Sequence, residues 1–338
     1  FQFGFRRFHS TQHALLKFHS DTVSNLRDRK CTVDISLDIE KSFDFPPSTE
    51  TSKAILYADD CLIYSHNESP ALALNNAAHH LNIIDHYYKT WGIRINAAKS
   101  ESIWIRNASW KCARFVVPQS KLLALALDGI NIPFKSSIKY LGVNFDKLMK
   151  FNNHGRLLLS RSRRISDMFG CLLNSKHLPQ KTKLLLYKVA IRSSLIYAFP
   201  IWFSISPIVA KELEIFERNI LRKCIGKNFI SYTRRFSNSF VYENAAVLPF
   251  CKYALQLQKN LVEKLPFHEN YFMNEIFENE KNISWSMFPY MSPVGIMMEP
   301  LDADPHNPPD FYAKSTPGAH RGWETKQTVI FYFNSIIY

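Results

Sequence analysis

Apolar positions recur along this chain with two different periods, and each period predicts its own kind of element. Residues 55–57 and 61–64 are short β-prone runs on either side of Ala58, Asp59 and Asp60. They predict a hairpin that carries two adjacent carboxylates at its tip. A strand that ends at Asp38 is predicted upstream of this hairpin, and residues 93–105 and 137–145 predict further strands.

A helical period replaces the strand period in other parts of the chain. Ser69-Pro70 is a typical helix start, and one apolar face follows it as far as Gly92. Three amphipathic helices are predicted further on, over residues 154–173, 179–195 and 207–225. The side chains expected to face inward from the first of these are Leu157, Leu158, Ile165, Met168 and Leu172.

The charge of the chain is strongly positive and unevenly distributed. Its 338 residues are 46% hydrophobic and carry a formal net charge of +13, which suits a polyanionic partner. Residues 150–192 hold ten Lys or Arg against one Asp, a local net of +9, whereas residues 265–326 hold four basic and nine acidic residues, a local net of −5. The middle of the chain is therefore the expected site of contact with nucleic acid.

The cysteines and the hydropathy narrow the class of protein. Six cysteines are widely spaced without a Cys-x-x-Cys pair, so reduced thiols in an intracellular compartment are predicted rather than a disulfide framework. No apolar run reaches the roughly 18 residues that a membrane span requires, so no membrane partner is expected.

The carboxylates suggest a metal site. A strand ending at Asp38 beside the hairpin would bring Asp38, Asp59 and Asp60 together. Such a group repels itself unless cations neutralise it, and two divalent metals about 4 Å apart are what phosphoryl transfer requires. A turn that merely contains Asp residues is the simpler alternative.

Four segments in a fixed order resemble the reverse transcriptases, and most closely those of jockey-like non-LTR retrotransposons. They are Gln2-Phe3-Gly4-Phe5-Arg6, the Tyr57-Ala58-Asp59-Asp60 hairpin, Trp91-Gly92-Ile93-Arg94-Ile95-Asn96 with Lys99, and Lys139-Tyr140-Leu141-Gly142-Val143. The resemblance implies an α+β fold: a right-hand polymerase palm with truncated fingers, followed by a mostly helical thumb. The expected domains are fingers and palm over 1–150, thumb over 151–264 and a Pro-rich, acidic, largely irregular tail over 265–338.

The resemblance also implies roles for particular residues. Asp38, Asp59 and Asp60 would be catalytic and hold two Mg²⁺ ions. Phe43 and Lys99 would contact the nucleotide substrate, with core packing as the alternative for Phe43 and a solvated surface position for Lys99. Arg6 would contact the template or the triphosphate. The nucleic-acid-binding side chains expected on the thumb are Arg156, Arg161, Arg163, Arg164, Lys181, Lys183, Lys188 and Arg192. The implied partners are an RNA template, a DNA primer duplex and deoxynucleoside triphosphates, and the implied location of an intact element is the nucleus.

The spacing between Asp38 and Asp59 departs from the family pattern. Only the 20 residues from Ile39 to Ala58 separate them, where the family has a longer segment with a Ser-Gly-Val-Pro-Gln-Gly-like stretch that holds template and nucleotide. Because positioning supplies much of the rate in such reactions, we expect weak or absent polymerase activity. An inactive nucleic-acid-binding remnant is the main alternative, and a metal-dependent nuclease ranks last.

Overall fold

The computed structural model describes residues 2–39, 49–107, 125–226 and 237–281. The described helices are α1 Thr11–Arg27, α2 Pro70–Thr90, α3 Asn152–Met168, α4 Gly170–Asn174, α5 Gln180–Leu186, α6 Ser193–Ile196, α7 Phe199–Trp202, α8 Pro207–Ile225, α9 Asn238–Ala245, α10 Phe250–Lys264 and α11 Tyr271–Glu280, with a π-helical segment at Tyr187–Arg192 and a 3₁₀ turn at Leu265–Phe267. The described strands are β1 Cys31–Asp38, β2 Ser52–Tyr57, β3 Asp60–Asn67, β4 Glu101–Ile105, β5 Ala126–Leu127, β6 Ile130–Asn131, β7 Phe134–Lys135, β8 Ser137–Tyr140 and β9 Val143–Asp146.

These elements divide into two compact units. Among the described residues, the first unit contains 2–149 and 262–281, and the second contains 150–261. The first is a mixed α/β unit and the second is helical. In the described part of the chain no helix is long and apolar enough to cross a membrane.

A five-stranded sheet with the order β2-β3-β1-β4-β7 forms the centre of the first unit. All of its strand pairs are antiparallel except β4 with β7. β1 is buried along most of its length because α2 covers one face of the sheet and α1 lies against the other. Alternation along β1 sends Val33, Ile35 and Leu37 into the apolar core under α2.

The predicted hairpin and the predicted helix after Ser69 are confirmed. Asp59 lies in the turn between β2 and β3, Asp60 is the first residue of β3, and α2 begins at Pro70 after Ser69 and ends just before Gly92. The strand predicted over residues 93–105 is shorter, because only Glu101–Ile105 is regular. Asn96 interrupts it: its backbone carbonyl accepts hydrogen bonds from the amides of Lys99 and Ser100 and closes a turn.

The inward face predicted for the helix over 154–173 is confirmed for Leu158 but was wrong for three of its five residues. Leu157, Met168 and Leu172 are 48%, 80% and 44% exposed. The buried face of α3 instead carries small residues, namely Gly155, Ser162 and Ser166, beside Leu158 and Leu159. A Cβ at Gly155 would lie 2.9 Å from a methyl of Val209 on α8, so close helix packing rather than side-chain size sets this face.

Residues 265–281 also differ from the expectation of an irregular tail. They form the 3₁₀ turn and α11, whose Met273 and Ile276 are buried in the first unit. The acidic residues that suggested a solvated tail include Glu275 and Glu280, which pair with Lys17 and Arg27 of α1. The rest of the predicted tail lies outside the described residues.

A buried carboxylate organises the second unit. Glu217 of α8 is fully buried and accepts hydrogen bonds from the hydroxyls of Tyr187 and Tyr242 and from the amide of Phe250. Arg192 approaches it with Nε 3.7 Å from Oε1. Burial raises the pKa of Glu217, and Arg192 and the three hydrogen bonds oppose that rise. The π-helical segment aims both Tyr187 and Arg192 at this carboxylate, since its wider turn brings residues five apart together.

Asp34, at the centre of β1, predicts an unusual pH dependence of stability. It is fully buried, and neither carboxylate oxygen has a hydrogen-bond partner among the described residues. Burial raises its pKa well above the usual value, so the folded protein holds the proton more tightly than the unfolded chain does. Its contribution to stability is full below the unfolded pKa and is lost as pH rises towards the folded pKa.

We therefore expect Asp34→Asn to stabilise the protein increasingly as the pH is raised from 5 to 8. The free energy of unfolding of the variant relative to wild type should rise by up to about 1.4 kcal/mol per pH unit. Urea unfolding at each pH measures it, and Asp167→Asn at an exposed position of α3 is the control. A difference that stays constant across this range would contradict the argument.

Candidate active site

The register of β1 and β3 places two of the predicted carboxylates opposite each other. Asp38 is the last residue of β1, and its partner across the antiparallel ladder is Asp60, the first residue of β3. The Cα atoms of such pairs lie about 4.5–5.5 Å apart. Asp59 immediately precedes Asp60 in the turn that follows Tyr57. The fold thus brings all three carboxylates to one end of the sheet.

The turn between β2 and β3 is tight and is supported from outside the hairpin. Ala58 has a φ of +57°, a conformation that usually favours glycine. The N-terminal segment runs against it: the amide of Phe3 donates to the carbonyl of Leu56 at 2.8 Å. A Cβ at Gly4 would lie 2.4 Å from the amide nitrogen of Ala58, so only glycine allows this approach.

The carboxylates interact with one another electrostatically. Partial desolvation raises the pKa of Asp60, and the like charges of Asp59 and Asp38 raise it further. Lys139 of β8 opposes the rise. The amino group of Lys99 lies 3.5 Å from Oδ2 of Asp38, with the two side chains 70% and 47% exposed. Three negative charges therefore lie close to two positive ones.

Asn96 holds Lys99 in this place. Its amide donates to the carbonyl of Asp38 at 2.8 Å, which fastens the turn to the end of β1. The amide of Lys99 then donates to the Asn96 carbonyl and side-chain oxygen, at 3.2 and 3.3 Å. The turn at Asn96 thereby places Lys99 beside Asp38.

The carboxylates suit Mg²⁺ in the type of their donor atoms. Carboxylate oxygens are the ligands that this ion prefers, and all three lie at the same end of the sheet. Their side chains do not converge, however: across the described ranges, no group of three or more His, Cys, Asp or Glu could hold a metal ion. The amino group of Lys99 lies against Asp38.

The other predicted substrate residues are Phe43 and Arg6. Phe43 lies outside the described residues. Arg6 is exposed two residues after Gly4, and its carbonyl accepts from the amide of His9 at 3.2 Å. Among the residues predicted to contact the nucleotide, Lys99 is therefore the one that the described structure places beside a carboxylate.

The predicted nucleic-acid surface of the second unit is only partly exposed. Six of its eight cations are exposed: Arg156, Arg161, Arg163, Arg164, Lys181 and Lys188. Lys183 and Arg192 are each only 6% exposed, so the expectation that they contact phosphates was wrong. Arg192 instead donates to the carbonyl of Leu248 at 2.6 Å and stacks 3.9 Å from the ring centre of Tyr253.

Sequence reasoning missed two contributors to this site. Lys139 lies in the Lys139–Val143 motif, but nothing in that motif shows that its charge reaches Asp60. Gly4 also lies in a recognised motif, and its close contact with Ala58 requires the folded chain. In both cases the sequence showed that the residue belongs to a motif, but it did not show what the residue does in the site.

Comparison with known proteins gives the class that this arrangement belongs to. Residues 45–145, which contain Asp59 and Asp60, match the family model described as reverse transcriptase (RNA-dependent DNA polymerase). The expected resemblance is confirmed: residues 45–145 of the chain are similar to reverse transcriptases.

The similar proteins come from one kind of mobile genetic element. The chain is similar to the RNA-directed DNA polymerase from mobile element jockey of Drosophila melanogaster, with 22% identity over 179 residues, and to that of Drosophila funebris, with 24% identity over 179 residues. Each match covers 53% of this chain and 18% of the relative. The chain thus matches about a fifth of the length of these curated relatives, and its reverse transcriptase region is jockey-like.

Proposed function

We propose that this chain derives from an RNA-directed DNA polymerase of a non-LTR retrotransposon. In this proposal the first unit is the palm with truncated fingers, the second unit is the helical thumb, and an intact element acts in the nucleus. The placement of Asp38 opposite Asp60, with Asp59 in the adjoining turn, carries the proposal. It supplies the paired carboxylates that nucleotidyl transfer needs.

The proposed reaction extends a DNA primer along an RNA template. The primer 3′-hydroxyl attacks the α-phosphate of a deoxynucleoside triphosphate, the new phosphodiester bond forms and pyrophosphate leaves. Asp38, Asp59 and Asp60 would hold two Mg²⁺ ions, which lower the pKa of the attacking hydroxyl and stabilise the departing pyrophosphate. Lys99, whose side chain is 70% exposed, would leave Asp38 and meet the negative charge of the triphosphate.

A second candidate function is nucleic-acid binding without catalysis. The six exposed cations of the second unit favour it, together with the absence of a converged metal group in the described part of the chain. The two candidates differ in one measurable property, which is templated extension of a primer.

We expect the chain as it stands to extend an oligo(dT) primer on poly(rA) with Mg²⁺ only weakly. Insertion of a family-like segment between Phe43 and Ile55 should increase extension at least about a hundredfold, because small misplacement of the reacting groups can cost that much. Asp59→Asn in the restored protein should abolish the gain, with Asp167→Asn as the charge-matched control. If the restored protein binds primer–template but does not extend it, the non-catalytic candidate is correct.

The position of Lys99 leads to a prediction about how tightly the carboxylates bind a divalent cation. A metal at Asp38 must compete with the amino group 3.5 Å away, so Lys99→Gln should tighten Mn²⁺ binding. We expect a several-fold lower Kd by titration calorimetry or electron paramagnetic resonance, without any assay of activity. Lys135→Gln, which removes the lysine paired with Glu101 at 3.9 Å on the same sheet, is the matched control. An equal Kd for the two variants would show that Lys99 does not occupy the metal position.

The exposed cations of α3 predict binding to duplex through phosphates. Changing Arg161, Arg163 and Arg164 to Ala should weaken binding of an RNA–DNA duplex and flatten its salt dependence by about 0.9 log units per log salt for each lost contact. Filter binding between 50 and 300 mM KCl measures both. Changing Lys211, Lys223 and Lys264, which are exposed elsewhere, removes the same charge and should have less effect. Equal losses for the two triple variants would assign the effect to net charge.

A further inference from the structure

Helix α11 returns to the first unit and packs against α1, more than two hundred residues away in sequence. At its C-terminal end Glu280 accepts two charged hydrogen bonds from Arg27, Nη2 to Oε1 at 2.6 Å and Nη1 to Oε2 at 3.0 Å. The two side chains are 1% and 9% exposed. A paired, bidentate contact of this kind fixes orientation as well as distance. The helix is therefore held firmly against α1.

An apolar path leads from α11 to the carboxylate hairpin. The ring of Phe272 lies 6.0 Å, centre to centre, from the ring of Phe3, which is buried. Phe3 in turn donates its amide to the carbonyl of Leu56 at 2.8 Å. The adjacent Gly4 lies directly against Ala58, the residue before Asp59. Only one side chain and one short backbone segment separate α11 from the turn.

A polar path joins the same two elements. Glu275 of α11 lies 3.4 Å from the amino group of Lys17, which also lies 3.1 Å from Asp21. Asp21 accepts hydrogen bonds from Lys53 of β2 at 3.0 Å and from the hydroxyl of Tyr64 of β3 at 2.7 Å. The network therefore reaches both strands of the hairpin.

Asp21 is the carboxylate at the centre of this network. Burial alone would raise the pKa of Asp21, but Lys17, Lys53 and the hydrogen bond from Tyr64 outweigh burial and lower it. Asp21 is therefore an anion between two cations, and the position of Lys17 is shared between Asp21 and Glu275. A change at Glu275 therefore alters the ion pairing of Lys17 with Asp21, and Asp21 is the residue that binds side chains of β2 and β3.

We infer that α11 is a positioning element for the carboxylate hairpin, acting through Phe272 and Phe3 on the turn and through Glu275, Lys17 and Asp21 on the two strands. The inference rests on the proposed function in treating the hairpin as catalytic. It extends that function to a segment beyond residues 45–145, which the family match covers. Helix α11 is accordingly a structural support of the polymerase site.

The test uses hydrogen exchange in the full chain, followed by mass spectrometry. Phe272→Ala and Glu275→Gln should each speed exchange in peptides covering 52–67 at least threefold relative to peptides from α2. Tyr271→Ala, at a 72% exposed aromatic neighbour, and Glu278→Gln, whose side chain is 62% exposed, are the matched controls. Phe272→Leu, which keeps an apolar contact with Phe3, should restore slow exchange.

A purely stabilising role for α11 gives a different result. In that case the variants would lower the midpoint of thermal unfolding and speed exchange equally in 52–67 and in α2, which would overturn the inference. Mn²⁺ titration separates this failure from failure of the proposed function. If wild type binds no Mn²⁺ while Phe272→Ala still loosens 52–67, the metal site is wrong and positioning by α11 stands. If both hold, Phe272→Ala should also weaken Mn²⁺ binding several-fold.

Discussion

β1 pairs with β3 along its whole length, from Cys31 opposite Asn67 to Asp38 opposite Asp60. The core fixes this register, because Val33, Ile35 and Leu37 must all face α2. A slip of one residue would move all three to the opposite face and place Thr32, Asp34 and Ser36 in the apolar core under α2, where their polar groups would be buried. The encounter of Asp38 with Asp60 is therefore a consequence of apolar packing elsewhere on the same strand.

Charge balance is the second condition that the site must meet. Partial desolvation raises the pKa of Asp60, and the like charges of Asp59 and Asp38 add to that rise. Lys99 and Lys139 reduce this repulsion, and both come from segments that follow the hairpin in the chain. Each lysine is held by backbone structure, one by the turn at Asn96 and the other by the β8–β9 hairpin. Repulsion between the carboxylates is thus relieved before any cation arrives.

The two units differ in how many hydrogen-bond partners they provide for a buried carboxyl group. In the second unit the carboxyl oxygens of Glu217 accept hydrogen bonds from three elements and lie near an arginine. In the first unit Asp34 lies in the central strand without a hydrogen-bond partner among the described residues. A buried polar group without a partner costs about 1–3 kcal/mol, so the central strand carries a local penalty that the surrounding core offsets.

The sequence by itself determined the local elements and the class of protein. Alternating apolar residues around Asp59 and Asp60, the Ser69-Pro70 helix start and the order of four motifs were enough, because they depend on neighbours in the chain. Only the tertiary structure decided which face of α3 is buried, that Lys183 and Arg192 are internal and that α11 belongs to the first unit. These features depend on partners distant in sequence: Val209 against Gly155, Glu217 against Arg192, and Arg27 against Glu280. Periodicity shows that a face exists, but the element that packs against it decides which face is buried.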